Sequence, residues 1–260
     1  MCIDYNQEKW GVLNLKHLIL ETKDFIVFID NSEDLDWITT DDYDEKGPEI
    51  PAKHNEILNT VALLECKPII HLSDKNRLNY KRLLGESLAR SLEHDYKKAA
   101  DILGQAEHYL VERGKELSRR WYLSRAGNTS AIIFTAGLIL WVFRDYSTMV
   151  LGYTVFITSL SVIAGGLGAL LSIIFRMGNE SLDCLSGKDL HELESMYRIV
   201  AGMLSAFLAS LLVRMEIFVP VFSKTSHLEI AIIVVGFIAG MSERFAPSIL
   251  AKLDSKKFNK

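Results

Sequence analysis

Residues 149–175 read MVLGYTVFITSLSVIAGGLGALLSIIF, a run without one charged side chain. A helix rises about 1.5 Å per residue and the hydrocarbon core of a bilayer is about 30 Å thick, so about 20 apolar residues cross it. Core helices of soluble proteins rarely run so far without a charged residue. Residues 148–174 are therefore expected to be a membrane span long enough to tilt.

Working outward, three more stretches approach the same length. Residues 129–143 (TSAIIFTAGLILWVF) precede the run, with Trp121 and Tyr122 placed to extend it at an interface. Residues 199–222 follow it, interrupted by Arg214 and Glu216. Residues 228–241 form the last apolar stretch, continuing as a more polar helix toward Leu250. Only Arg144 to Ser147 separate the first two spans, and Ser223 to His227 the last two. Connections that short join antiparallel neighbours, so two helical hairpins are expected, linked by the polar segment 177–195.

Lys and Arg near the span ends set the orientation. Lys115, Arg119, Arg120 and Arg125 precede the first span. Arg176, Lys188 and Arg198 lie between the hairpins, and Arg244, Lys252, Lys256, Lys257 and Lys260 follow the last. The tight turns hold only Arg144 and Lys224. A multi-pass protein of an inner membrane is expected, with both termini and the middle segment cytoplasmic.

Small residues recur along the spans: Ser161, Gly165 and Gly168 in the second, Ser205 and Ala209 in the third, and Gly236 and Gly240 as GxxxG in the fourth. Helices in lipid associate by close backbone approach, which small side chains permit. The pattern reads as helix packing, as an interface between subunits, or as the wall of a small-residue lumen. Charges within spans are costly and carry their own hypotheses. Arg214 reads as a residue snorkelling to the headgroups or, with Glu216, as part of a water-filled path. Glu243 and Arg244 are adjacent and point in different directions, so each is expected to meet a neighbouring span or the middle segment.

The first half is charged. Residues 24–30 (DFIVFID) and 67–72 (KPIIHL) read as strands, and residues 55–66 (NEILNTVALLEC) between them as a helix, an order that permits a parallel pair. Residues 76–122 read as two helices punctuated by His94 and Asp95, the second running on toward the first span through Arg119 and Arg120. HDYKKAADILGQAEHY, at 94–109, resembles the second helix of a tetratricopeptide repeat, yet one unit makes a hairpin and not a repeat domain. The fold class expected is mainly α: a small cytosolic α/β segment (1–75), a helical hairpin and link (76–125), a four-span region (126–250) and a basic tail (251–260).

The acidic stretch from Glu33 to Glu49 reads as solvated chain; a calcium-loop frame begun at Asp42 fails at Lys46 and Lys53. Cys2, Cys66 and Cys184 form no CxxC and read as free thiols in a reducing compartment. The N-terminus lacks the pattern of a secretory signal. No phosphate loop, GxSxG or HExxH occurs, and HELE at His191–Glu194 is misspaced for zinc. No enzyme, cofactor or metal is expected. The formal charge of −4 gives no reason to expect direct nucleic-acid binding.

The ending GMSERFAPSILAKL (240–253), together with a cytosolic helical part followed by small-residue membrane hairpins, resembles the membrane effectors of bacterial anti-phage defence systems, including those linked to retrons. The resemblance implies an effector whose cytosolic part senses a signal and whose spans oligomerise to perturb the inner membrane. Its partners would be lipids, further copies of itself, and a regulatory protein or small ligand. A membrane-anchored scaffold and a transporter subunit are the rival expectations, the latter weakened by the lack of an obvious set of intramembrane acidic residues or a broken-helix pair.

Overall fold

A single-turn helix, α1 (Gln7–Trp10), precedes three strands in the computed structural model: β1 (Leu15–Glu21), β2 (Phe25–Asp30) and β3 (Leu35–Thr39). The structure describes residues 5–177, 186–215 and 228–242. The strands form an antiparallel meander with β2 in the middle. Successive side chains on a strand face opposite ways. Phe25, Val27 and Ile29 enter a core built with helices, and Ile26 and Phe28 enter a second cluster with Trp10. Both faces of β2 are covered, which is why FIVFI is an unbroken apolar run.

This corrects the expected parallel pair. Residues 67–72 are a turn, not a strand: the Leu72 N–H donates to the Ile69 carbonyl at 3.0 Å. Ile69 and Leu72 pack toward the core while Ile70 is 74% exposed, a spacing of three and not two. The places beside β2 go to LKHLILE and LDWIT, edge strands whose charges hide the pattern.

The acidic stretch contributes β3 and then α2 (Asp41–Lys46), whose first turn holds Asp41, Asp42 and Asp44, where the helix dipole favours negative charge. Next come α3 (Pro51–Glu65), with Pro at its start where no N–H is needed, and α4 (Asp74–Leu92), begun by Ser73. The chain reverses at His94, held at φ +66°. The Asp95 N–H returns to the Arg90 carbonyl at 2.9 Å, closing α4. Then α5 runs from Tyr96 to Val142. The Ser87 hydroxyl donates to the Ala99 carbonyl at 2.8 Å and pins α4 to α5. The expected helix at 55–66 and the break at His94–Asp95 are both present. β2, α3, α4 and the start of α5 share one core, in which Tyr80, Leu84 and Leu88 are fully buried.

The chain divides into two units, Met1–Leu117 and Ser118–Lys260, the division falling within α5. Beyond α5 the second unit holds α6 (Arg144–Leu151), α7 (Tyr153–Arg176), α8 (Lys188–Arg214) and α9 (Leu228–Met241). Two boundaries differ from expectation. Residues 144–147 are not a tight turn but the start of α6, and the chain turns at Gly152, whose φ of +81° suits glycine. The uncharged run is therefore split between α6 and α7. The polar segment before the third stretch is helical from Lys188, where Lys188–Glu192 and Glu194–Arg198 pair one turn apart at 3.5 and 3.3 Å.

α5, α7 and α8 are each long and apolar enough to cross a membrane; α9, at 14 residues, is apolar but shorter.

Candidate functional site

The small residues singled out in the sequence converge on one seam. Glycine lets α7, α8 and α9 approach at backbone distance. A Cβ on Gly240 would stand 2.6 Å from the Gly165 α-carbon, and one on Gly202 would stand 2.6 Å from the Ala169 Cβ and 3.0 Å from the Gly165 carbonyl oxygen. Gly168 lies against the Phe237 carbonyl, and Gly236 against the Ser161 side chain. The Ser161 hydroxyl, fully buried, donates to the Ile232 carbonyl of α9 at 2.9 Å. Ala209 is fully buried beside Ile232, Val235 and Ala239. Ser205 is also buried, next to a small cavity of about 80 Å³ that Gly202 and Gly240 also line. Within one chain, these residues join helix to helix.

The outside of the same helices is apolar. Ile132, Phe134, Leu138, Ile139 and Trp141 on α5 are exposed, as are Leu204, Phe207 and Leu208 on α8 and Ile230, Val234 and Ile238 on α9. Of the most apolar stretch of each long helix, protein buries only 39% on α7 and α8 and 17% on α5. Monomeric soluble proteins rarely present contiguous apolar surface on this scale.

Arg214 is the last residue of α8, and its guanidinium donates to the Thr154 carbonyl, in the first turn of α7, at 2.9 Å. An apolar groove of about 440 Å³ runs from it past Val155, Val162, Phe207 and Leu211. Glu216, Glu243 and Arg244 lie outside the described residues, as do Cys2, Cys184 and the tail. Arg119 is half-buried and Arg120 exposed on α5, just past the division between the units. Nearby, the Trp121 ring lies 6.4 Å from that of buried His191, and the Arg198 guanidinium lies 5.7 Å from the Tyr122 ring centre. These contacts place residues of α5 against α8, a pairing the sequence did not signal because about 70 residues separate the partners.

The first unit brings together two groups that sequence reasoning missed. One is aromatic and polar: the Tyr43 and His94 rings stack at 6.0 Å, the Tyr43 hydroxyl donates to the Leu92 carbonyl at 2.8 Å, and His54 Nδ1 meets the Ser91 hydroxyl at 2.9 Å. Burial pushes the Tyr43 phenol up to about 12. The other is a cleft of about 370 Å³ whose charged lining is Lys16, Glu33, Asp74, Lys75, Arg77 and Lys81. Its members come from β1, the β2–β3 turn and α4, so no local motif marks it. Among the described residues, no three His, Cys, Asp or Glu side chains gather as a metal site.

Fold and seam together define a mostly helical protein with a cluster of apolar, membrane-competent helices and a separate α+β unit. Comparison with family models, with curated proteins and with solved structures returned no match for this chain.

Proposed function

We propose that the chain is a membrane-embedded effector. Its first unit senses a signal or partner on the cytoplasmic side, and its spans oligomerise to perturb the inner membrane in antiviral defence. The observation that carries the membrane part is the uncovered apolar surface of α5, α7 and α8. In this reading α5, α7, α8 and α9 with its continuation make four crossings in two hairpins, with both termini cytoplasmic. Lys115, Arg119, Arg120 and Arg125 on α5 before its apolar stretch, Arg176, Lys188 and Arg198 between the second and third apolar stretches, and the Lys and Arg after α9 support that orientation. Because the glycine and serine seam is already engaged inside the chain, copies assemble through the outer apolar faces, above all that of α5. Arg119 and Arg120, on the helix that belongs to both units, carry the signal toward the membrane.

The test is membrane potential and dye entry in cells induced to express the full chain under activating conditions. Depolarisation with dye entry supports the reading; an intact potential sinks it. A second reading, a membrane-anchored scaffold, draws on the same seam: its seven small residues pack within the chain, so they are engaged between helices rather than free to line a lumen. A scaffold leaves growth and potential unchanged while retaining a partner at the membrane.

A further inference from the structure

The cleft in the first unit has an unusual electrostatic arrangement. Lys81 is buried, 8% exposed, and is neutralised from behind by Glu65 at 3.2 Å, with Asp34 at 3.7 Å. Its ammonium also donates to the Glu33 carbonyl. The mouth is formed by Lys16, Lys75 and Arg77 with two carboxylates, Asp74 and Glu33, and Glu33 bridges two of the cations: Lys16 at 2.6 Å and Arg77 Nε at 3.3 Å. Asp74 takes the other arm of the Arg77 guanidinium at 2.9 Å.

Glu33 reaches that position from a backbone held at φ +68°, a region L side chains rarely adopt. The turn is fixed by the Glu33 N–H donating to the Asp30 carbonyl at 3.1 Å and the Asp34 N–H donating to the Asp30 carboxylate at 2.8 Å. The hairpin thus holds a tethered anion among cations. The same cations, Lys16 first, hold the Glu33 carboxyl below the ordinary carboxylate range. The cleft also sits at the start of α4, a 19-residue helix whose N-terminus favours anions. Ile29 and Leu78 line it with apolar surface. Its volume is at the small end of ligand pockets.

We propose that this cleft binds a small phosphorylated ligand of about mononucleotide size, whose phosphate displaces the Glu33 carboxylate from Lys16 and Arg77. A phosphate carries more charge and more acceptor oxygens than a carboxylate, and Arg offers it a planar fork. The exchange removes the carboxylate link between the β2–β3 turn and Arg77 of α4 and leaves the bond from Lys81 to the Glu33 carbonyl, giving the turn two states that differ by ligand. The inference rests on reading the first unit as the sensor and names what it senses.

The test is calorimetric titration of the full chain in detergent micelles with pyrophosphate and with adenosine monophosphate as probes. Wild type is expected to bind at least one of them. Glu33→Gln is expected to bind it about ten-fold more tightly, because the competing charge is gone, and the pair Lys16→Gln with Arg77→Gln at least about ten-fold more weakly. Lys75→Gln, exposed and outside the core, provides a weakened variant should the pair fail to fold. Failure of both wild type and Glu33→Gln to bind either probe overturns the proposal, as does equal affinity of Glu33→Gln and wild type. A third arm uses anionic-lipid nanodiscs: binding that requires the lipid and ignores the soluble probes assigns the cleft to headgroups and also overturns it. No leakage enters the readout. A chain that binds but never depolarises cells therefore refutes the effector reading and leaves the cleft standing, and the converse refutes the cleft alone.

Discussion

The α-carbon of Gly165 occupies the space a side chain on Gly240 would need, 2.6 Å from where a Cβ there would stand. The obstacle is backbone, which cannot swing aside as a side-chain tip does. Gly240→Ala is therefore expected to push α9 off α7 and destabilise the second unit by about 1–3 kcal/mol, outweighing the roughly 1 kcal/mol by which alanine favours a helix. Gly104→Ala, on exposed α5 surface with nothing within 4 Å of the new Cβ, should stabilise by about 0.5–1 kcal/mol. Thermal unfolding of the two variants in detergent checks the opposite signs.

Ser161→Ala removes the hydroxyl that donates to the Ile232 carbonyl and leaves the helices at their separation. Interhelical hydrogen bonds of this kind are worth about 0.6 kcal/mol on average in a bilayer protein. The expected result is a small drop in unfolding temperature, well below that of Gly240→Ala, with the oligomeric state on size exclusion unchanged.

Tyr80, fully buried, donates its hydroxyl to the Leu64 carbonyl at 2.7 Å and so ties α4 to the end of α3. Tyr80→Phe keeps the ring in the core and removes only the bond. A loss of about 1 kcal/mol is expected in the first unit. Hydrogen exchange should show earlier opening around residues 60–66, with α7 to α9 unaffected.

Burial, and then the neighbouring His94, lower the pKa of His54 below its ordinary 6.5; burial, and then Arg82, do the same for His17. The unfolded chain then binds more protons than the folded one just below that value, so stability rises with pH. The contribution is whole above about pH 6.5 and is lost as pH falls through the lower folded-state values. Glu33, stabilised by Lys16 and other cations, and Asp95, stabilised by Lys98, have carboxyls held low, so their contribution goes only below about pH 4, a separate window. Melting the first unit in the full chain at pH 7.5 and 5.5 should show a lower midpoint at 5.5, and His54→Gln should flatten the difference.

With α5, α7 and α8 presenting uncovered apolar faces, the chain is expected to stay in the membrane pellet after an alkaline carbonate wash and to leave it only with detergent. Recovery in the wash supernatant would remove the lipid-spanning reading.

Much of the second unit was legible because lipid-compatible helices need only length, apolarity and small residues at i, i+4 spacing, all local properties. Gly165, Gly168, Gly236 and Gly240 could be chosen from the sequence, and Gly165 meets Gly240 while Gly168 meets Phe237 and Gly236 meets Ser161. The helix ends were less legible. Gly152 turns the chain where Arg144 and Asp145 look like the break, because α6 tolerates charge in its first turn while only glycine sits easily at φ +81°. In the first unit FIVFID announced a buried strand, but its neighbours did not announce themselves: an edge strand such as LDWIT, with Leu35 alone buried, has almost no alternation to detect.

The sequence by itself determined that part of this chain is suited to hydrocarbon and part to water, because hydropathy summed over a helix length depends on no other segment. It also determined where close helix contact is possible, since only small side chains allow it. Which helices make that contact was a tertiary matter: Ser161 faces Ile232 and Gly165 faces Gly240 because α7 and α9 happen to pack at that register. The gathering of Lys16, Glu33 and Arg77 was decided the same way. Charges so far apart along the chain become neighbours only when a sheet and a helix fold onto one core, and their mutual field exists only then.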